Sequence, residues 1–254
     1  MLTVAYDGTR YAGFQFQTNA KTVQEVLERG LKRLFKQPVR VSSASRTDKG
    51  VHSLGNLVVF DTESPMPAER ICLAVNEFLP ADVKVVKSEE VPLDFHPRKC
   101  KSRKTYVYRI LNRVMPEPTL RLYTYHWRRP LDLDAMREGA ACLVGEHDFV
   151  SYASIHHTAQ TTVRTIYELS IEKTGDVVEV RICGSGFLYY MVRIIVGTLL
   201  EVGTGLRPAS DVQRILEAKD RAQAGATAPA CGLTMLGIEL EEPYEDISDL
   251  PPGE

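Results

Sequence analysis

The stretch from Val39 to Asp61 constrains the fold of this chain most, because it places a polar segment between two strand-like runs. The runs, residues 39–44 and 57–60, are rich in the β-branched and aromatic residues that strands favour. The segment between them, 45–53, contains an Asp and a Gly, which turns favour for their backbone conformations. It also holds two cations and a histidine, more ionisable groups than a connecting turn needs. The sequence predicts a loop between two strands that is either a solvated turn or a site held rigidly for chemistry.

The loop carries a motif with one open position, Arg46-Thr47-Asp48-x-Gly50-Val51-His52. This string resembles the signature of the tRNA pseudouridine synthase A family, in which the aspartate is the nucleophile. The resemblance implies that Asp48 has this role. Two neighbouring positions depart from the family pattern. Ser45 stands where glycine is usual, and Lys49 stands where bacterial members usually have alanine and where eukaryotic members resemble this chain. Lys49 therefore leaves open which RNA position is the substrate.

The net charge is −2, but residues 1–238 are net basic. Seven of the 33 acidic residues lie in 239–254, where no basic residue occurs. The rest of the chain has 31 basic and 26 acidic residues. Such a balance alone does not identify a partner, since a run of charge is often a solvated face. The densest basic cluster has five cations in seven positions: Arg98, Lys99, Lys101, Arg103 and Lys104. Taken together with the motif of the aspartate loop, this cluster favours a nucleic-acid partner.

The composition, 44% hydrophobic and 25% charged residues, is typical of a soluble globular protein. A chain of 254 residues suffices for one large domain or two of ordinary size. No apolar run approaches membrane-spanning length, so we expect no membrane segment and a cytoplasmic location. The five cysteines lie at least 28 residues apart, which argues against a disulfide framework or a CxxC site. The adjacent His156 and His157 have no further ligands at useful spacing, so we expect no metal site.

Hydrophobic periodicity and capping signals predict most of the remaining elements. Thr22 and Glu25 form a capping box before a helix whose apolar residues recur at helical spacing. Ser210 and Gln213 mark the start of another helix, to Ala218, in the same way. Further helices are predicted from about Pro67 to before Leu79, from 133 to 145 and over 187–200, and further strands over 2–6, 83–86, 105–111, 163–171, 177–183 and 234–240.

The first predicted strand leads into a loop rich in glycine, aromatic and amide residues, 6–17, which includes Tyr6 and Gln15. Such a composition suits stacking on unpaired bases and hydrogen bonding to phosphates. It equally suits a buried aromatic loop. The family has a closely similar opening, so the resemblance implies that this loop lies at the RNA-binding cleft.

Alternation over 105–111 places Tyr106 and Tyr108 on the same face of a strand. Both are candidates for cross-strand packing, and we expect packing of Tyr108. In the family the first tyrosine of this strand lies over the target uracil, so the resemblance implies that Tyr106 stacks on the base and handles the proton lost from C5. A phenol has a pKa of about 10 and is a poor base unless that pKa is lowered or the carbon acid is activated.

The segment 187–200 is apolar nearly all round, which predicts a buried helix, and Arg193 is its only charged residue. A buried guanidinium without a carboxylate is costly, so Arg193 either has an acidic partner or extends to the surface. The family places the arginine of a similar Met-Val-Arg motif against the nucleophilic aspartate. The resemblance therefore implies that Arg193 pairs with Asp48 and keeps its carboxylate ionised.

The motifs that match the family extend from about Leu2 to Leu240. The resemblance implies an α+β fold of two ferredoxin-like halves that share a mostly antiparallel sheet, with helices on one face and a central active-site cleft. It implies a first domain, 1–103, with the aspartate loop, and a second, 104–240, with the tyrosine strand and the arginine helix. An acidic tail, 241–254, follows and is expected to be disordered or loosely docked. The resemblance also implies a homodimer and a reaction without a cofactor.

The activity implied by the resemblance is conversion of uridine to pseudouridine in the anticodon stem-loop of tRNA, at positions 38, 39 or 40. The catalytic residues are then Asp48, Tyr106 and Arg193, and attack by Asp48 on C6 of the base or on C1′ of the sugar stays open. Two other functions also stay open: a member of the same family directed at another RNA position, and an RNA-binding module without catalysis. The expected substrate-binding residues are Arg46, Tyr6, Gln15, Lys49, His52, Arg98, Lys99, Lys101, Arg103 and Lys104.

Overall fold

The computed structural model describes residues 1–241, which fall into two compact units. The first unit comprises residues 1–102 and 235–241, and the second comprises residues 103–234. The acidic tail predicted from the sequence lies outside the described residues, except for Glu241. Over residues 1–241, no helix has both the length and the apolar character needed to cross a membrane.

Both units combine helices with mostly antiparallel strands, which confirms the predicted mixed α and β character. In chain order the elements are β1 (Leu2–Tyr6), α1 (Val23–Phe35), β2 (Ser42–Ser43), β3 (His52–Val59), α2 (Ala68–Asn76), β4 (Val83–Ser88), β5 (Ser102–Asn112), β6 (Tyr125–Trp127), α3 (Leu133–Ala141), β7 (Gly145–Asp148), β8 (Val163–Thr174), β9 (Val177–Gly184), α4 (Met191–Gly203), α5 (Asp211–Ala218) and β10 (Leu233–Leu240).

The strands of the first unit lie in the order β4-β1-β3-β10, and β1 is antiparallel to both β3 and β4. The register between β1 and β3 shifts along the pair, so that Val4 lies opposite Asn56 whereas Tyr6 lies opposite Ser53. Such a bulge re-aims the side chains that follow it. It places the end of β1 beside the start of β3, where the aspartate loop ends.

Helix α1 forms where the capping box predicts it. The side chain of Thr22 accepts a hydrogen bond from the Glu25 backbone N–H at 3.3 Å, which satisfies one of the free donors of the first turn. The buried face repeats every three or four residues, through Val23, Val26–Leu27 and Gly30–Leu31. This face packs into the core of the first unit with β1, β3, α2 and β4.

The strands of the second unit lie in the order β5-β9-β8-β7, all antiparallel, and β6 adds to β5 as a parallel strand. The strands predicted over 163–171 and 177–183 are confirmed as β8 and β9 and form a hairpin, because Thr174 pairs with Val177 across a turn in which Gly175 has φ 59°. Positive φ is the conformation that glycine adopts at no steric cost.

Helix α4 is buried as predicted but begins later than predicted. Eleven of its 13 residues are buried. The sequence predicted a helix over 187–200, whereas the helix spans Met191–Gly203 because Tyr190 has φ 65° and ψ 4° and stops the helical path. The pattern of apolar residues reports burial, and a left-handed residue at the border leaves no mark in that pattern.

Four other element predictions were wrong in detail. The strand predicted over 39–44 is paired only at Ser42–Ser43, while the strand predicted from Leu57 begins already at His52. The helix predicted to end at Gly145 ends at Ala141, and Gly145 opens β7. The capping signal at Ser210 was also wrong, because Ser210 has helical dihedral angles and its side chain makes no cap hydrogen bond.

Candidate active site

The aspartate loop connects β2 to β3, and a second segment of backbone, residues 8–14, packs against it. The Phe14 N–H donates to the Thr47 carbonyl at 3.1 Å, and the Gly50 N–H donates to the Tyr11 carbonyl at 3.2 Å. Gly13 has φ 96°, and a Cβ added to it would lie only 2.7 Å from the Thr47 carbonyl oxygen. The two segments are therefore in direct backbone contact beside Asp48.

The turn that follows Asp48 is closed by its own hydrogen bond. The Val51 N–H donates to the Asp48 carbonyl at 3.1 Å, and Gly50 has φ 80° at the third position of the turn, where a type II turn requires positive φ. Lys49 is exposed at the second position, while Asp48 is half-buried. Backbone hydrogen bonds alone thus fix the chain on both sides of Asp48.

Buried polar side chains of β1 and β3 form hydrogen bonds with the loop. The hydroxyl groups of Tyr6 and Thr47 share a hydrogen bond of 2.8 Å, and Asn56 donates from Nδ2 to the Ser45 carbonyl at 2.9 Å. Tyr6 is 5% exposed, Thr47 is 7% exposed and Asn56 is fully buried. Each of these buried groups therefore joins the loop to β1 or β3.

His52 ties the end of the loop to the segment after β1. Its Nδ1 accepts a hydrogen bond from the Gly8 N–H at 3.1 Å and lies 3.1 Å from Oδ1 of Asp7. A Cβ added to Gly8 would lie 2.0 Å from the Val51 carbonyl oxygen, so only glycine allows this approach. Because His52 is 3% exposed, its ring is a buried part of the support.

Two cations predicted to bind substrate, Arg46 and Arg98, influence each other electrostatically in the first unit. Partial burial and the charge of Arg98 lower the pKa of the Arg46 guanidinium. Among residues 1–241, neither arginine has an ion pair with an acidic side chain. Both residues are exposed, as are Gln15, Lys49, Lys99 and Lys101. Two neighbouring guanidinium groups without a carboxylate are an arrangement that suits an anion.

The remaining basic residues of the cluster begin β5 in the second unit. Arg103 is exposed, and its guanidinium carbon lies 4.4 Å from the centroid of the Tyr167 ring. Lys104 is half-buried and lies opposite Gly184 of β9. An arginine stacked on an aromatic ring presents a flat cationic surface, which is suited to phosphates or bases.

Arg193 lies in α4 and is held by two contacts within the second unit. Its Nε donates to the Ala228 carbonyl at 2.7 Å, and its guanidinium carbon lies 4.5 Å from the centroid of the Tyr190 ring. Arg193 is half-buried although its neighbours in the helix are buried. These contacts orient the guanidinium, and the expected pairing with Asp48 stays a prediction.

The two tyrosines of β5 are both buried, 7% exposed for Tyr106 and 0% for Tyr108. Tyr106 packs edge-on against Phe187, with ring centroids 5.2 Å apart. Tyr108 donates its hydroxyl to the Pro229 carbonyl at 2.7 Å, and burial raises its pKa. Tyr108 is therefore a packing residue, as expected, whereas the role of Tyr106 stays a prediction.

Several residues that shape these sites were not predicted from the sequence. Gly13 and Asn56 contact the aspartate loop, and Tyr190 contacts Arg193. A glycine beside aromatic residues was a signal for Gly13, but nothing in the sequence indicated Asn56 or Tyr190. Among residues 1–241, no group of three His, Cys, Asp or Glu side chains is placed to hold a metal ion.

Comparison with known proteins identifies similar sequences over nearly the whole chain. The profile of a family described as tRNA pseudouridine synthase matches residues 2–98 and 140–239. A protein of Thermoanaerobacter sp. named tRNA pseudouridine synthase A is 45% identical over 238 residues, which are 94% of this chain and 98% of the relative. A protein of Halalkalibacterium halodurans with the same name is 47% identical over 233 residues, covering 91% of this chain and 89% of the relative.

Proposed function

This chain belongs to the tRNA pseudouridine synthase family, and on that premise we propose that it converts uridine to pseudouridine in the anticodon stem-loop of tRNA. We assign the target to positions 38, 39 or 40. The observation that carries the proposal is the family match itself, since its first segment contains Asp48 and its second contains Arg193. Tyr106 lies between the matched segments, within the 94% of the chain that aligns with a named relative.

The proposed reaction is an isomerisation, so its atoms balance without an oxidant, a reductant or a second substrate. The bond between C1′ and N1 breaks, the uracil turns, and a bond forms between C1′ and C5. C5 loses its proton, and N1 gains one. The base must first leave the stack, which costs about a few kcal/mol and is offset by contacts to the RNA backbone.

Asp48 is the proposed nucleophile, attacking either C6 of the base or C1′ of the sugar. The bond that its carboxylate forms is broken again, by elimination from C6 or by attack of C5 on C1′, so that the free carboxylate is regenerated. A nucleophile is effective when its position is fixed close to the reacting atom, because the entropy of positioning is then lost before the reaction. The fixed backbone at Thr47, Gly50 and Val51 supports this role. Arg193 is assigned to keep the Asp48 carboxylate ionised.

Tyr106 is the proposed partner of the target base. Its packing against Phe187 supports a role in which the ring keeps one orientation while a base stacks on it. The hydroxyl oxygen of Tyr106 would then accept the proton from C5, after the new bond to C1′ has made that proton more acidic.

The exposed cations are assigned to the RNA backbone. Arg46 and Arg98 together suit a phosphate near the target nucleotide, and further contacts to the RNA are assigned to Gln15, Lys49 and the other cluster residues. Tyr6 and His52 were expected to bind substrate. Because both are buried and bonded to the segments around Asp48, we assign them to holding the loop.

We also propose, from the resemblance to the family, four features of fold, assembly and location. They are two ferredoxin-like halves sharing one sheet around a cleft, domains 1–103 and 104–240, a homodimer and a cytoplasmic location. Light scattering of the purified protein tests the dimer. A mass near 28.5 kDa, the mass of one chain, would contradict it.

The experiment that tests the activity compares Asp48→Asn with wild type on unmodified tRNA. Pseudouridine is quantified by mass spectrometry of the digested RNA and mapped by chemical modification of the product. Asp48→Asn should lower the rate roughly 10³-fold or more, because the amide is not a nucleophile. The matched control is Asp61→Asn, the same change at an exposed carboxylate of the same unit, which should retain the wild-type rate.

Equal product from Asp48→Asn and wild type would reject the mechanism. Tight tRNA binding with no product from wild type would select the RNA-binding module. Pseudouridine found only outside positions 38–40 would select the alternative substrate, to which Lys49 points by its resemblance to eukaryotic members.

A further inference from the structure

Tyr190, directly before α4, has an unusual backbone conformation. Its φ of 65° and ψ of 4° lie in the left-handed region, where the Cβ of an L-residue crowds the following carbonyl oxygen. Only three non-glycine residues among 1–241 have positive φ: Lys36, Tyr190 and Lys219. Tyr190 is the only aromatic residue of these three, and such a conformation persists where other contacts hold it.

The position of Tyr190 in its helix does not explain this conformation. Lys36 and Lys219 lie at the C-terminal caps of α1 and α5, where a left-handed residue is common. Tyr190 lies instead at an N-terminal cap, where the usual residue is extended and accepts a backbone hydrogen bond with its side chain. Tyr190 makes no such bond. Tyr190 differs from these two lysines by its aromatic ring, which contacts Tyr189 and Arg193.

The ring of Tyr190 contacts two partners. It stacks on Tyr189, with centroids 3.9 Å apart, and the two hydroxyl groups share a hydrogen bond of 2.7 Å. Arg193, three residues further on, places its guanidinium carbon 4.5 Å from the ring centroid. Residues three apart lie on the same side of a helix, so the left-handed turn at Tyr190 brings the ring to the guanidinium face.

Arg193 also forms a hydrogen bond with a backbone carbonyl group of a segment that packs against α4. Arg193 Nε donates to the Ala228 carbonyl at 2.7 Å, and the Ala228 N–H donates back to the Arg193 carbonyl at 3.1 Å. The segment before Ala228 is also fixed, because the Gly225 N–H donates to Thr198 Oγ1 at 2.9 Å. A Cβ added to Gly197 would lie 1.7 Å from the Ala226 carbonyl oxygen, so this segment touches the helix backbone.

From these contacts we infer that Tyr190 is a positioning residue, whose ring fixes the face of the Arg193 guanidinium while the Ala228 carbonyl fixes its edge. The remaining N–H groups then have one orientation toward the carboxylate that the proposed function assigns to Arg193, and the inference rests on that assignment. A glycine or asparagine would adopt the same backbone conformation with less crowding. Tyrosine at this position is therefore explained by its ring and not by its backbone.

Three substitutions separate the ring from the backbone. Tyr190→Phe keeps the ring and removes the bond between hydroxyl groups, Tyr190→Leu removes the ring, and Tyr190→Asn removes the ring while favouring the left-handed backbone. Lys36→Asn is the matched control, because it makes the same backbone change at an exposed left-handed residue of the other unit. The measurements are the single-turnover rate with saturating tRNA, the Kd for tRNA and the melting temperature.

We expect Tyr190→Leu and Tyr190→Asn to lower the single-turnover rate roughly 10-fold or more, since small displacements of a positioning group cost one to two orders of magnitude. The Kd for tRNA should change by less than about twofold, because the lost contact is made within the protein. Tyr190→Phe should restore the rate to within about threefold of wild type. Tyr190→Asn should melt close to wild type, and Lys36→Asn should keep the full rate.

A spectroscopic measurement reports the same contact directly. The Nε–H signal of Arg193 in a ¹⁵N-labelled protein should be shifted by the ring current of Tyr190 in wild type and Tyr190→Phe, and should lose that shift in Tyr190→Asn. A wild-type rate in folded Tyr190→Leu or Tyr190→Asn, or an unmoved Arg193 signal in Tyr190→Asn, overturns the inference. Full activity of Asp48→Asn would instead reject the proposed function, so the two failures are distinguishable.

Discussion

Glycines and buried hydroxyl groups hold the backbone on both sides of Asp48. Gly8 and Gly13 allow the segment after β1 to touch the backbone of the loop, and Gly50 allows the turn after Asp48. The hydroxyl bond between Tyr6 and Thr47 adds a polar contact inside the core. A reactive group on a backbone held this way has a fixed position before the substrate binds.

Gly13→Ala tests the close approach of the two segments. The new methyl group would lie 2.7 Å from the Thr47 carbonyl oxygen, and φ would remain at 96° unless the backbone moved. We expect the free energy of unfolding to fall by about 2–4 kcal/mol, from strain and overpacking together. The rate on tRNA should fall as well. Urea denaturation and single-turnover assays measure the two effects.

The control for Gly13→Ala is Gly175→Ala in the β8–β9 hairpin. Gly175 has φ 59°, but an added Cβ would have no atom within 4 Å. This substitution should cost only the backbone strain, about 1 kcal/mol, with no effect on the rate. Equal losses for the two variants would contradict the close packing at Gly13.

Tyr6→Phe tests whether Tyr6 supports the loop or binds the substrate. The substitution removes one partner of the Tyr6–Thr47 bond and leaves a buried hydroxyl without it, so stability should fall by about 1–2 kcal/mol. We expect the rate to fall and the Kd for tRNA to stay unchanged. The same change at Tyr152, whose hydroxyl donates to the Val212 carbonyl at 2.9 Å in the second unit, should cost similar stability and no rate. A raised Kd in Tyr6→Phe alone would return Tyr6 to the substrate-binding residues.

At the scale of elements, two capping signals that looked alike in the sequence have different outcomes. Thr22 caps α1 through its side chain, whereas Ser210 makes no cap bond at α5. Thr22→Val should therefore lower the free energy of unfolding by about 1 kcal/mol, and Thr22→Ser should retain most of the stability. Ser210→Ala should change stability by less than about 0.5 kcal/mol. Equal losses in thermal denaturation of Thr22→Val and Ser210→Ala would contradict this difference.

These elements show which structural features a sequence pattern can reveal. Periodicity correctly predicted the buried faces of α1 and α4, because burial follows the spacing of apolar residues. It did not reveal that α4 starts after Tyr190, since a left-handed residue is set by tertiary contacts and not by spacing. The motif likewise identified the loop of Asp48, while the contacts of Gly13 and Asn56 with that loop join residues distant in the sequence.

At the scale of the whole molecule, the distribution of charge is more informative than the net charge. The chain as a whole has a net charge of −2, yet the charge of Arg98 lowers the pKa of Arg46, and neither arginine has an acidic partner among residues 1–241. Mutual repulsion of this kind is relieved when an anion binds between the cations. The phosphate backbone of RNA is such an anion, and its binding depends on salt because counterions are released.

Arg46→Gln and Arg98→Gln should each weaken tRNA binding. Each should also make the negative slope of log Kobs against log salt less steep by about 1. The loss should be similar for a substrate tRNA and for a tRNA without the target uridine, because phosphate contacts do not read sequence. Fluorescence anisotropy with labelled tRNA over a series of KCl concentrations measures the slope. Arg29→Gln is the control: Arg29 has a side chain 65% exposed and is paired with Glu25 at 2.5 Å, so its charge is already compensated and its slope should equal that of wild type. If Arg46→Gln and Arg29→Gln had the same slope, Arg46 would not contact a phosphate, and the assignment of these cations to the RNA backbone would have to be withdrawn.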